Sequence, residues 1–430
     1  MTALLQIAAR SAWNRRGTLA LVVLSIALAT ALLLGLERLR NDIRGSFTQS
    51  VSGTDLIVGA RTGPVQLMLY AVFRVGGATN NISMDSVRAV AAHRAVAWTV
   101  PIALGDSHRG HPVLGTTAGY FEHFAFGDRQ PLALAQGRAF SGTLDGLYEA
   151  VLGAEVAQQL GYRLGQRITL AHGLHAGGDA AGELAAEHAD KPFTVVGVLA
   201  RTGTPVDRTV HVSLQAIEAI HLDWAGGAPL PGVNIAAEHA RKFSLEPRQV
   251  TAALVGLKNR VAVFNVQRFV AEYEGEPLLA VLPGVALDEL WAAVGLGERA
   301  LLAMSGLVAL VSLASLVAVV LAGLNERRRE LAVLRAVGAG PRHVLALLAA
   351  EGALVTLSGA VLGAAAAAVA VLAAGPWVQQ RFGITLQATA PTVEQWALFG
   401  AVLLAGMLAS LVPGWRAYHL SLADGLTPRT

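Results

Sequence analysis

The residues best suited to chemistry in this sequence are histidines, and they are unevenly spread. Ten of the twelve lie between His93 and His239. The densest group is His172, His175 and His188, interleaved with Asp179, Glu183, Glu187 and Asp190 in a Gly/Ala-rich stretch. Neutral imidazoles and carboxylates bind Zn²⁺ and related ions, and a flexible segment lets them converge. These three histidines are candidate zinc ligands; a polar surface loop would have the same composition. His108 and His111 form a second, weaker pair. Other chemistries are missing from the sequence. None of the lysines, Lys191, Lys242 and Lys258, follows a glycine, so there is no G-x-x-x-x-G-K-[ST] phosphate loop and no Walker-type nucleotide site. There is no H-E-x-x-H, nothing marks a Ser/His/Asp triad, and no catalytic residue is assigned. With no cysteine in the chain, disulfides, cysteine-ligated zinc and a lipidated cysteine are excluded.

A second stretch carries charge rather than ligands. Asn325–Gly340 reads NERRRELAVLRAVGAG and holds Arg327, Arg328, Arg329 and Arg335, with Arg342 just beyond. Upstream, Ala300–Leu324 is uncharged, and downstream Val344–Gly375 carries only Glu351. Each run exceeds the roughly 20 apolar residues that cross a bilayer. The charged stretch is therefore a short loop between hairpinned spans, and its arginines mark the cytoplasmic side. Leu331, Leu334 and Val337 recur at helical spacing, with Arg328, Arg329 and Arg335 off that line. Gly338, Gly340 and Pro341 end the turn. This predicts a short amphipathic helix at the inner membrane surface, a shape able to dock a soluble partner.

That string resembles the signature of MacB/FtsX-type ABC transporter permeases. The resemblance rests on Glu326 to Ala339, read as ERRRELAVLRAVGA, with Glu351 about three turns on. It implies a coupling helix that fits a groove on a separate ABC ATPase subunit. The coupling residues it implies are Glu326, Arg327, Arg328, Arg329, Glu330, Leu331, Leu334, Arg335 and Gly338. ATP and Mg²⁺ would then sit on that partner.

Composition sets the class. Hydrophobic residues make up 53% of 430 and mean hydropathy is +0.50, as in an integral membrane protein. The net charge of +3 is carried almost wholly by arginine. The arginines flank the apolar runs, so membrane topology accounts for them and nucleic-acid binding does not. The spans carry no charged residue near their middles, which argues against proton relays and ion-coupled transport.

Taken in order, the chain opens with Gly17–Leu36, an uncharged run preceded by Arg10, Arg15 and Arg16. It reads as an uncleaved signal anchor with the N-terminus inside. Leu36, Leu39, Ile43 and Phe47 continue an apolar stripe beyond it, and Leu287, Leu290, Trp291 and Val294 form another before the second span. The two are expected to be paired helical stalks. Between them the texture is α+β. Strands are expected at Asp55–Val58, Ala95–Leu104, Arg167–Leu170, Phe193–Leu199 and Val250–Leu257. Helices are expected at Pro64–Phe73, Met84–Ala92 behind Ser83 as N-cap, Ala154–Leu160 and Arg260–Tyr273. The strings Ala150–Ala157 leading into Leu160-Gly161, Gly165–Thr169 and Phe193–Leu199 resemble the family's periplasmic domain, with Gln166 where the family usually has aspartate. Span three is expected at about Val344–Ala374, a loop at Pro376–Glu394, and span four at about Gln395–Val412. Gly359 and Gly363 make a GxxxG pattern that permits close helix packing, read as a candidate dimer seam. The tail from Pro413 to Leu426 also resembles the family's cytoplasmic ending.

The expected fold is a four-span membrane α-helical protein with a large inserted periplasmic α+β domain on helical stalks. Its divisions are 1–45 (N-terminus, first span and stalk), 46–284 (MacB-like core) and 285–430 (stalk, three spans, coupling helix 325–340 and tail). The expected role is the permease subunit of an ATP-driven system in the bacterial inner membrane. It would have both termini cytoplasmic, work as a homodimer with a separate ATPase, and meet a periplasmic adaptor or substrate-binding protein. Rival roles are an FtsX-like subunit controlling a cell-wall hydrolase, a lipoprotein-release permease, and a zinc-linked transport permease.

Overall fold

A computed structural model of the chain describes residues 16–50, 52–76, 80–173, 188–225, 228–230, 232–233, 235–326, 338–382, 386 and 390–418. The chain divides into two units. One comprises Met1–Ile43, Val294–Gln379 and Leu386–Thr430, and the other Arg44–Ala293 and Gln380–Thr385.

The described chain begins in α1 (Arg16–Gln49). The second unit then alternates strands with short helices: β1 (Leu56–Ala60), α2 (Pro64–Ala71), α3 (Met84–Ala91), β2 (Val96–His108), β3 (His111–Thr116), α4 (Gly119–His123), β4 (Leu134–Gly137), β5 (Glu149–Leu152), α5 (Ala154–Leu160), β6 (Arg167–Ile168), β7 (Ala171–His172), β8 (Phe193–Leu199), β9 (Val210–Ser213), α6 (Leu214–Ile220), β10 (Ala252–Leu257), α7 (Val263–Ala271) and β11 (Leu278–Val281). The eleven strands form one mixed sheet in the order β11-β1-β10-β2-β3-β9-β5-β8-β4, with β7 added beside β2 and β6 beside β8. The β9–β3 and β8–β5 pairs are parallel. Turn chemistry explains many boundaries. Pro64 starts α2 where its missing N–H costs nothing. The hydroxyls of Ser83 and Ser213 accept from the backbone N–H of Ser86 and Ala216 and cap α3 and α6. α5 stops at Gly161, whose φ of +66° suits glycine.

β1 is buried along its whole length. Ile57 faces a core with Leu67, Met68 and Leu254. Leu56, Val58 and Ala60 face the other side, against Val266 and Val270 of α7. A strand covered on both faces reads as a continuous apolar run. A third cluster joins Ala150, Leu152, Phe193, Val195, Val210 and Val212 to Ala216 and Ile220 of α6.

Three long helices close the chain: α8 (Pro283–Glu326), α9 (Pro341–Phe382) and α10 (Val393–Tyr418). With α1, four helices among the described residues are long and apolar enough to cross a membrane. In the first unit Leu19, Val22 and Ile26 pack with Leu316, Val320, Val344 and Leu348. The Ser312 hydroxyl donates to the carbonyl of Ser25 at 3.2 Å. These pairings make α1 and α8 antiparallel.

Three expectations change here. β2 runs on to His108 instead of stopping near Leu104, because β3 and β7 both pair with its far end. α9 continues through Pro376 to Phe382, where the loop was expected to begin; a proline ends helices in water but is tolerated in membrane helices, where neighbouring groups satisfy the freed carbonyl. The apolar stripes are also used differently. Leu287 is buried in the sheet domain's own core, with Trp291 packed against it. On α1, Leu39 is exposed while Glu37 and Arg38 are buried. Glu37 accepts from Arg40 and Asn41 at 3.1 and 3.2 Å, so this turn of α1 is held by polar pairs.

Candidate functional site

Within the sheet unit, four ligand-type side chains converge: Asp106, His172, His188 and His221. Asp106 comes from a bulge in β2. The β2–β3 register shifts between Leu104 and Ser107, and Gly105 has φ +151°, a region open mainly to glycine. The Gly105 carbonyl accepts the Gly173 N–H at 2.8 Å. That bond holds β7 against the bulge, with His172 directly opposite Asp106. His188 is pinned by its own N–H, which donates to the Leu170 carbonyl at 2.8 Å. His221 is the C-cap of α6. Its Nδ1 donates to the Ile217 carbonyl at 2.8 Å, which leaves Nε2 turned to the cluster.

Three ligand atoms form a close triangle. His172 Nδ1 lies 3.2 Å from Asp106 Oδ1 and 3.1 Å from His221 Nε2. His221 Nε2 lies 3.4 Å from Asp106 Oδ1. A ring nitrogen of His188 completes the set, with all four ligand atoms within 4.8 Å of one another. The indole of Trp224 walls one side, 4.2 Å from the His188 ring and 5.7 Å from that of His172. Asp106 and His188 are buried, while the His172 side chain is 36% exposed. The site is thus closed at its base and open at one edge.

Electrostatics separate the members. Burial alone would raise Asp106, but hydrogen bonds and charge from His172 and His221 win and hold its carboxyl at about 2. His221 is opposed by burial yet raised by its bond to Asp106. His188 has burial against it, reinforced by the charge of His221, and falls to about 4. A neutral imidazole, a fixed carboxylate and two further imidazoles are the donor set of a transition-metal site.

Of the three histidines expected as ligands, His172 and His188 meet here, and His175 lies outside the described residues. Asp106 and His221 were not singled out in the sequence. They stand 66 and 49 residues from His172, so only strand register and the end of α6 bring them in. The other expected pair lies apart from this cluster. His108 binds the Thr169 carbonyl and the Tyr162 hydroxyl at 2.6 and 2.9 Å. His111, opposite it across the hairpin, is buried, and burial together with Arg208 lowers it to about 4.

In the helical unit, Glu326 is the last residue of α8. Arg327, Arg328, Arg329, Glu330, Leu331, Leu334 and Arg335 lie outside the described residues. Gly338 has φ +102°, a left-handed turn just before α9. The GxxxG glycines have a definite partner. A Cβ at Gly359 would stand 2.8 Å from the Ile26 Cβ, and one at Gly363 would stand 2.7 Å from the Thr30 Cβ and meet the Ala27 carbonyl. Within the chain, this close approach is made with α1. These pairs rise together, so α9 runs parallel to α1. Gly352 meets Ser410 and Gly406 meets Thr356, which makes α10 antiparallel to α9. The end of α8, the start of α9, the start of α1 and the end of α10 therefore share one end of the unit.

A family model described as MacB-like periplasmic core domain matches residues 18–255, more than half of the chain. A second, FtsX-like permease C-terminal, matches residues 302–422. Among solved structures, the periplasmic region of MacB from Actinobacillus actinomycetemcomitans is similar at 12% identity and a TM-score of 0.33, covering 59% of this chain and 97% of that one. The extracellular domain of YknZ, a noncanonic ABC-type transporter from Gram-positive bacteria, is similar at 13% identity and a TM-score of 0.30, covering 53% and 98%. No curated protein sequence matches the chain.

Proposed function

The chain belongs to the MacB/FtsX-type family of ABC transporter permeases, and on that premise we propose that it is the membrane subunit through which a separate ABC ATPase drives movement of its sheet domain. ATP binding and hydrolysis take place on the partner, since this sequence holds no phosphate loop. The 326–338 segment is the contact. Leu331 and Leu334 anchor it in the ATPase, and Arg328 and Arg335 flank them. α1 and α8 carry the motion, because each is one continuous helix with residues in both units. They touch within each unit, through Arg40 Nε to Glu298 at 3.4 Å and through the Arg44 guanidinium 5.3 Å over the Trp291 ring. The work is done on a substrate at the outer face of the bacterial inner membrane, by two copies of the chain with two of the ATPase.

The observation that supports this best is the alternation of α1, α8, α9 and α10. The end of α8 and the start of α9, which flank the arginine-rich stretch in the sequence, lie at the same end as the start of α1 and the end of α10, which supports a cytoplasmic assignment for that end under the positive-inside rule. The test is Leu334→Asp in the chain co-purified with its ATPase. Burying one leucine at an interface is worth about 1.5–3 kcal/mol, and an unpaired carboxylate in its place costs more. The substitution should abolish co-purification and ATPase stimulation while expression stays near normal. Full retention of both would move the contact elsewhere, most directly to the tail around Arg416–Leu426.

A further inference from the structure

We propose that Asp106, His172, His188 and His221 bind one zinc-class divalent transition-metal ion in the sheet domain. This stands independently of the permease reading. A tetrahedral ion with ligands at 2.0–2.1 Å places its ligand atoms about 3.3 Å apart. The three contacts of the triangle are 3.1, 3.2 and 3.4 Å, so these atoms already stand at three corners of such a tetrahedron.

Hydrogen bonding alone serves the group poorly. With the ring neutral, His221 spends its proton on the Ile217 carbonyl, so Nε2 offers only a lone pair. The Asp106 carboxylate also only accepts. One proton on His172 Nδ1 is then left for three contacts, whereas a cation satisfies all three at once. His188 adds the independent observation. Its side chain is fully buried, and among the described residues neither Nδ1 nor Nε2 has a hydrogen-bond partner. Buried polar groups without partners are rare and costly, and a metal bond would relieve this one.

The donor set decides the class of ion. Three nitrogens and one oxygen suit Zn²⁺ and its neighbours, while Ca²⁺ and Mg²⁺ need more oxygens. The bond from His221 to the Ile217 carbonyl is the outer support that fixes a ligand imidazole's tautomer and orientation. Beneath the site, Lys191 Nζ binds both carboxylate oxygens of Asp223, at 2.8 and 2.9 Å. That pair ties the segment bearing His188 to the segment bearing His221.

The test uses the full-length chain in detergent, purified without a histidine tag, stripped with chelator and titrated with Co²⁺ as spectroscopic probe. One Co²⁺ per chain should bind with the intense visible bands of tetrahedral coordination, and Zn²⁺ should displace it. His188→Ala and Asp106→Asn should each weaken binding at least about tenfold, with far-UV circular dichroism unchanged. If either fails to fold, His172→Gln, at the open edge, should lose the tetrahedral bands. His175→Ala should bind as the parent does. No stoichiometric Co²⁺ or Zn²⁺ in the parent would overturn the proposal. So would parental affinity in His172→Gln, or loss of binding in His175→Ala.

Discussion

Lys191 carries a charge into the sheet domain with no exposed side chain. Its ammonium is shared between Asp223, itself buried, and Asp190. Asp223 also accepts the Ile235 N–H at 3.0 Å, so both of its oxygens are engaged. Removing one partner of such a pair strands the other and costs about 3–5 kcal/mol, while replacing both by apolar groups is close to neutral. Asp223→Asn should therefore lower the thermal midpoint of the purified chain markedly. The double variant Lys191→Met with Asp223→Leu should recover most of the loss, and calorimetry separates the two outcomes. A midpoint in Asp223→Asn equal to the parent's would show that the pair is not a structural tie. The sequence hid this role. Lys191 reads as a polar residue after a run of acidic ones, and only the fold shows that Asp223 lies across from it. The same holds for the metal cluster. The imidazoles of His172 and His188 were legible as ligand types, but Asp106 and His221 become ligands only through the β2 bulge and the end of α6.

Among elements, what could be read followed from local chemistry. Ala154–Leu160 and Phe193–Leu199 have the expected bounds because a glycine stops the helix and a run rich in β-branched residues (Thr194, Val195, Val196, Val198) makes the strand. At Gln166 the side-chain oxygen accepts the Arg163 N–H at 2.7 Å and closes the turn before β6. What could not be read was the partner of each surface. The GxxxG spacing of Gly359 and Gly363 announces close packing but not against which helix, and the answer is α1. The stripe on α8 likewise announces an apolar face, which the sheet domain's core takes up through Leu287. The glycine seam gives a contrast within the membrane unit. Gly363→Leu would drive a side chain into the Ala27 carbonyl and Thr30, whereas a Cβ at Gly400 meets nothing within 4 Å. Overpacking of this kind costs about 1–3 kcal/mol. Thermal unfolding in detergent should show Gly363→Leu clearly destabilised and Gly400→Leu near the parent. Equal stability of the two would mean that the α1–α9 seam bears no load.

For the molecule as a whole, length, hydropathy and arginine distribution were enough to give the class, because bilayer thickness and charge asymmetry act on composition alone. The sheet topology was not accessible in this way. Its order pairs β1 with β10 and β11 from the far end of the domain, and long-range pairing leaves no mark on a short window. Coupling to the ATPase depends on where the connection between α8 and α9 points, and the absence of cysteine makes that testable with a single introduced thiol. Leu334→Cys, carrying a benzophenone maleimide in native membranes and then illuminated, should form an adduct with the ABC ATPase subunit. Gly178→Cys, treated alike, should form none and should react with a membrane-impermeant maleimide from the outer side. An ATPase adduct from position 178, or none from position 334, would contradict the account.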